Sequence, residues 1–170
     1  MNIVIANRQR TKKVNVHLLK QIAGELLVEL KIENAELGIN LAGAKEMAAL
    51  NWKFLRHEGP TDVITFDYDS PVGRAAKRKT RLARTLAPPN LNGELFVCMD
   101  ESIFQAKQYE TDWQSEIVRY IIHGVLHLLG HDDHRVAARK KMKREENRLL
   151  RLLAKKFSLA QIAGRSKISA

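Results

Sequence analysis

Apolar and polar positions recur along this chain with periods that mark out its elements. Asn2–Ala6 (NIVIA) is a short, β-branched run and predicts a strand. Apolar residues then fall at Val14, Leu18, Leu19, Ile22, Ala23, Leu26, Leu27 and Leu30, the spacing of one helical face. Ala35–Leu41 alternates as a second strand. Ala42–Phe54 sets Met47, Leu50 and Phe54 on one side of a second helix, which Gly59-Pro60 brings to an end. Asp62–Tyr68 (DVITFDY) predicts a third strand and Gly93–Met99 (GELFVCM) a fourth. Asp100 is placed to cap a helix running to about Tyr109. A further helix starts near Thr111–Asp112 and reaches Leu129, with Trp113, Ile117, Ile121, Val125 and Leu128 toward the core and Gly130 as its C′ residue. The last helix spans Arg135–Lys156.

Two stretches fall outside this rhythm. Residues 70–92 contain Pro71, Gly73, Pro88 and Pro89 and read as a long excursion between strands. Residues 158–170 read as a C-terminal tail. Strands and helices alternate early and helices dominate late, which predicts an α+β fold. A single domain over residues 1–157 carries a small, mixed, four-stranded sheet packed by about five helices.

Charge changes this picture more than composition does. A net charge of +10 is concentrated in two places. Arg74, Lys77, Arg78, Lys79, Arg81 and Arg84 form a basic run with no acid inside it, and Arg135–Lys156 holds ten basic residues against Glu145 and Glu146. The remainder is mildly acidic. A single run of this kind is usually a solvated face; two on one small domain point to a polyanion, because each neutralised phosphate releases a counterion. The single cysteine, Cys98, permits no internal disulfide. The opening residues lack a secretory pattern, and the longest apolar run, near Tyr120–Leu129, is too short to span a bilayer. A cytoplasmic monomer with no membrane partner is the expectation.

The candidate chemistry lies in His123–His134, HGVLHLLGHDDH. His123 and His127 are four apart on a helix, so both imidazoles share a face one turn apart. Two unpaired imidazoles on an otherwise apolar helix are costly to bury, and a shared metal removes that cost. Gly130 turns the chain back to present a third ligand. Asp133 is the first candidate, His134 the next and His131 the third; Asp132 or Asp133 also suits a cap on the Arg135 helix. Three protein ligands leave a position for water, whose pKa zinc lowers to about 7, so hydrolysis is the expected reaction class. No catalytic group beyond that water is identified. A metalloprotease carries a glutamate general base after its first histidine, in H-E-x-x-H; here that position is Gly124. The missing base moves the reading from peptides toward RNA, whose 2′-hydroxyl is an internal nucleophile.

Three blocks in order carry a family resemblance. His123-Gly124-Val125-Leu126-His127-Leu128-Leu129-Gly130-His131-Asp132-Asp133 resembles the H-G-x-L-H-L-x-G-Y-D-H signature of the YbeY family of bacterial ribosomal-RNA maturation factors. Leu50-Asn51 through Phe54, with Pro60-Thr61-Asp62-Val63-Ile64-Thr65-Phe66, resembles a second family stretch, and Gly93-Glu94-Leu95-Phe96-Val97 with Gln105-Ala106 a third. The resemblance implies a single-domain, zinc-dependent endoribonuclease with one ion. It also implies a role in maturing the 3′ end of small-subunit ribosomal RNA and in ribosome quality control. His123, His127 and Asp133 would hold the zinc, and the basic run would hold RNA. Three departures stand out: the family's third histidine falls on Asp133, an arginine after the aromatic falls on Leu55, beside Arg56, and the Arg74–Asn90 excursion sits where the family has a shorter connection. The alternatives are a zinc metallopeptidase, which Gly124 opposes, and a ribosome-associated RNA-binding protein whose zinc is structural.

Overall fold

The computed structural model describes residues 1–69 and 90–164. Four strands, β1 (Asn2–Asn7), β2 (Asn34–Ala42), β3 (Val63–Asp67) and β4 (Asn90–Cys98), form one sheet in the order β1-β2-β4-β3. β1, β2 and β4 are parallel, and β3 runs antiparallel at the edge. Five α-helices are described: α1 (Val16–Glu29), α2 (Ala44–Leu55), α3 (Met99–Gln108), α4 (Trp113–Leu128) and α5 (Val136–Lys156). This is the mixed four-stranded α+β domain that the patterning predicts.

The sheet has one dry face. Leu37, Ile39 and Leu41 of β2 and Leu91, Leu95 and Val97 of β4 meet α1 and α4 in the main core. α2 covers one end of the opposite face, where its Met47 packs with Ala42, Ile64 and Cys98. α4 is central and buried on nearly every side, from Ile117 to Leu126. Its close approach to the sheet requires Gly124. A Cβ there would lie 2.8 Å from Cδ2 of Leu95 and 3.2 Å from Cγ2 of Val63.

Four local assignments differ from the expectations. β4 begins at Asn90, inside the span read as an excursion, because Asn90–Asn92 pair in register with Asn34–Glu36 of β2. Asp100 does not cap its own helix; its carboxylate accepts from the backbone N–H of Ala44 and from Thr11 Oγ1, so it caps α2 across the fold. Asp132 and Asp133 do not cap α5, whose N-cap residue Arg135 makes no side-chain cap bond. The tail reading fails for its described part. Leu159–Ile162 form a 3-10 turn with Ile162 fully buried, and Ala163 bridges to Val14.

Candidate metal centre

The site is built at the end of α4 and the turn beyond it. Asp112 starts the helix by accepting from Ser115 N–H at 2.7 Å. The helix ends in a Schellman motif: Gly130 N–H donates to the His127 carbonyl at 2.8 Å and His131 N–H to the Leu126 carbonyl at 3.0 Å. Gly130 takes φ +85°, where a side chain would be strained. That reversal carries Asp133 back over the histidine face.

Three donor atoms converge. His123 Nε2 and His127 Nε2 are 2.9 Å apart, and Asp133 Oδ2 lies 3.9 Å from the first and 3.6 Å from the second. The far side of each ring is held as well. His123 Nδ1 lies 2.6 Å from Glu146 Oε1 on α5, and His127 Nδ1 lies 3.2 Å from the backbone carbonyl of His131. A carbonyl only accepts, so His127 carries its proton on Nδ1 and exposes a lone pair at Nε2. The carboxylate of Glu146 imposes the same arrangement on His123. Two nitrogen lone pairs and a carboxylate oxygen thus face one point, an arrangement that repels itself unless a proton or cation stands between them. The donor set, two imidazoles and a carboxylate each oriented from behind, fits a zinc-type ion. Burial on its own would lower the His123 pKa. The Glu146 hydrogen bond, with the charges of Glu146, Asp62 and Asp133, outweighs it and holds the imidazole above its ordinary value.

The other candidate ligands lie elsewhere. His134 is 85% exposed, with its Nε2 4.0 Å from Asp132 Oδ1. It groups with Asp132 and Asp133 rather than with the paired histidines. His131 contributes its backbone carbonyl to His127. Arg56, the neighbour of Leu55, ends α2 in a left-handed conformation with its guanidinium over the Trp52 ring. Arg74, Lys77, Arg78, Lys79, Arg81 and Arg84 lie outside the described residues. Glu146 is the residue that sequence reasoning misses. It is 4% exposed and continues the Met142, Leu149, Leu153 stripe of α5, so a glutamate in the core phase of a basic helix was the available signal.

A cleft of about 780 Å³ opens beside the site, lined by Thr61 and Asp62, by Gln105 and Tyr109 of α3, by Arg119 of α4 and by Lys143 and Glu146 of α5. Arg119 lies one turn before His123; its Nη1 donates to Asn147 Oδ1 at 2.8 Å and its Nε lies 3.6 Å from Glu116. No described helix is long and apolar enough to cross a membrane.

A mixed sheet crossed by a helix that aims two imidazoles at a turn carboxylate, with a cleft alongside, defines a single-domain α+β protein suited to metal-assisted hydrolysis. More particularly, the chain belongs to the endoribonuclease YbeY family, whose model matches residues 4–154. The family is one of nucleases that cut RNA internally. The Endoribonuclease YbeY of Chlorobium luteolum is 29% identical over 154 residues, covering 90% of this chain and 98% of that protein. The Endoribonuclease YbeY of Dehalococcoides mccartyi is 33% identical over 148 residues, covering 85% and 84%. The solution structure of TM1509 from Thermotoga maritima shares the fold with a TM-score of 0.60 over 99% of both chains, at 20% identity.

Proposed function

We propose that the protein is a zinc-dependent, single-strand-specific endoribonuclease. Its proposed role is to process ribosomal RNA in the cytoplasm, at the 3′ end of the small-subunit RNA, in ribosome biogenesis and quality control. The observation that carries the reading is the convergence of His123 Nε2, His127 Nε2 and Asp133 Oδ2, with both rings fixed from behind. Zinc bound by these three residues supplies a Lewis acid for a phosphate oxygen and acidifies water.

The chain's own residues do the rest. Glu146 and the His131 carbonyl keep both Nε2 lone pairs aimed at the ion. The cleft admits a strand beside it, with Arg119 and Lys143 as its lining cations. Basic residues of α5 and the 74–84 run attract the RNA backbone, a sequence-independent term that weakens with salt. The ligand set of three favours catalysis over a structural ion, which takes four protein ligands. Gly124 disfavours a peptidase, since the base position faces Leu95 and Val63 with no room for a side chain.

The test pairs metal analysis with cleavage of single-stranded RNA. The expected result is one zinc per chain, and loss of both zinc and cutting in His123→Ala and Asp133→Ala. Cutting that survives loss of both histidines would overturn the proposal.

A further inference from the structure

The C-terminal end of α2 exposes apolar surface that the fold does not use. Trp52 is 52% exposed, Phe54 50% and Leu55 51%. Solvated helix faces seldom place an indole, a phenyl ring and a leucine so close together, and such patches mark binding surfaces. Cations are interleaved with them. The Arg56 guanidinium lies 5.8 Å from the Trp52 ring centroid, and Lys53 Nζ lies 5.2 Å from that of Phe54. The patch is supported from beneath: Phe54 packs edge-on against Phe66 at 5.0 Å, and Phe66 against Phe96 at 5.7 Å.

The patch is also tied to the cleft. Asn51, 5% exposed, donates to the Gly59 carbonyl at 2.9 Å and fixes the path of the chain after α2. That path leads directly to Thr61 and Asp62, which line the cleft beside Glu146. Thr61 is five positions after Arg56, so the patch lies at most about 18 Å of chain from the cleft wall.

From these observations we infer that Trp52 and Arg56 form a stacking platform for an unpaired base of the RNA strand that enters the cleft. Every base has a π-face, so the Trp52–Arg56 platform accepts any of them, while Lys53 meets a flanking phosphate. A paired base has both faces covered by its neighbours and gives the platform nothing. The platform therefore selects single strands by stacking rather than by reading sequence. The charge interleaving favours a nucleic acid over an apolar protein helix as occupant. The inference rests on the proposed ribonuclease reading and adds to it a binding element outside the metal centre.

The experiment uses the zinc-loaded Trp113→Phe protein, in which Trp52 is the remaining tryptophan, and a 2′-O-methyl oligouridylate of about 12 nucleotides. The oligomer is expected to quench Trp52 fluorescence, and a duplex of the same length is expected to leave it unchanged. With the melting temperature and zinc content unchanged, Trp52→Ala is expected to weaken oligomer binding on the order of 5- to 100-fold. Trp52→Phe should restore most of the loss, and Lys53→Ala should lower the salt slope by about 1. Unquenched Trp52 in a protein that still binds the oligomer, or Trp52→Ala with unaltered affinity, overturns the platform and leaves the ribonuclease reading standing. Binding of a protein partner that depends on Trp52 while RNA affinity does not change also overturns it. Wild-type protein that neither binds nor cuts any RNA overturns both.

Discussion

Removing the carboxylate behind His123 should weaken metal binding without removing a ligand. Glu146 is 4% exposed, lies 2.6 Å from His123 Nδ1 and faces Lys143 at 3.7 Å. Glu146→Ala frees the ring to rotate and to exchange tautomers, so Nε2 no longer points permanently at the site. Loss of such a supporting group costs about 10- to 100-fold in metal affinity, or about 1.4–2.7 kcal/mol. Glu146→Gln keeps an acceptor oxygen for Nδ1–H but loses the charge, so its loss should be smaller.

Zinc stabilises the folded state in proportion to the logarithm of its affinity, so the same deficit appears in the melt. At saturating zinc, Glu146→Ala should lose roughly 3–11 °C more than it loses in chelator, taking about 2–4 °C per kcal/mol for a chain of this size. The assays are chromophoric chelator competition and paired thermal melts. Equal zinc affinity in wild type and Glu146→Ala, or an equal loss of melting temperature with and without zinc, would refute the reasoning. The second result would mean that Glu146 is a core residue and nothing more.

Other expectations follow from the same geometry. His134→Ala should keep wild-type zinc content, because its side chain is 85% exposed and lies outside the paired-histidine group, whereas Asp133→Ala should lose zinc; the reverse pattern in metal analysis would move the third ligand. Gly124→Ala forces a Cβ to 2.8 Å from Leu95, so overpacking of about 1–3 kcal/mol should exceed the roughly 1 kcal/mol gain in helix propensity, and urea melts should show net destabilisation. Asp100→Ala removes the cap on α2 and the Thr11 bond together, and should lower stability by about 1–2 kcal/mol in the same melts.

The fold was legible where a local period survived tertiary packing. α4 could be placed from its apolar spacing, its ends from Asp112 and Gly130, and the two histidines from their separation of four. Partners in space were not legible. Asn90–Asn92 have no β-branched character and follow two prolines, so only the ladder with Asn34–Glu36 makes them a strand. Asp100 looks like a local cap because it falls where a helix begins, in the first turn of α3; it turns instead to α2, whose own N-cap is Gly43 and has no side chain to offer. Leu159 and Ile162 are too few to show a period, and their burial depends on the bridge between Ala163 and Val14, far away in sequence. Glu146 was hidden by its setting, a charged residue among many on a basic helix. Its phase with Met142 and Leu149 distinguishes it, and that phase matters only once α5 is known to pack beside His123.

Gly124 joins the packing to the chemistry. The residue after a metal-binding histidine is where a peptidase keeps its glutamate, and in this helix that position points at Leu95 and Val63 of the sheet. A glutamate there would have to displace α4 from β4, carrying both imidazoles with it. The close packing of α4 on the sheet that places the two imidazoles is therefore the same packing that excludes a base from the helix. A proton acceptor for hydrolysis must come from the substrate, from water or from the cleft wall. Of the four carboxylates on that wall, Glu146 holds His123, Glu101 accepts from Gln105 at 2.7 Å, Glu116 from Thr111 at 3.0 Å, and Asp62 from Thr61 at 3.0 Å and the Val63 N–H at 2.8 Å. In RNA the ribose 2′-hydroxyl beside the scissile phosphate supplies the nucleophile, and its proton would pass to one of these groups or to water.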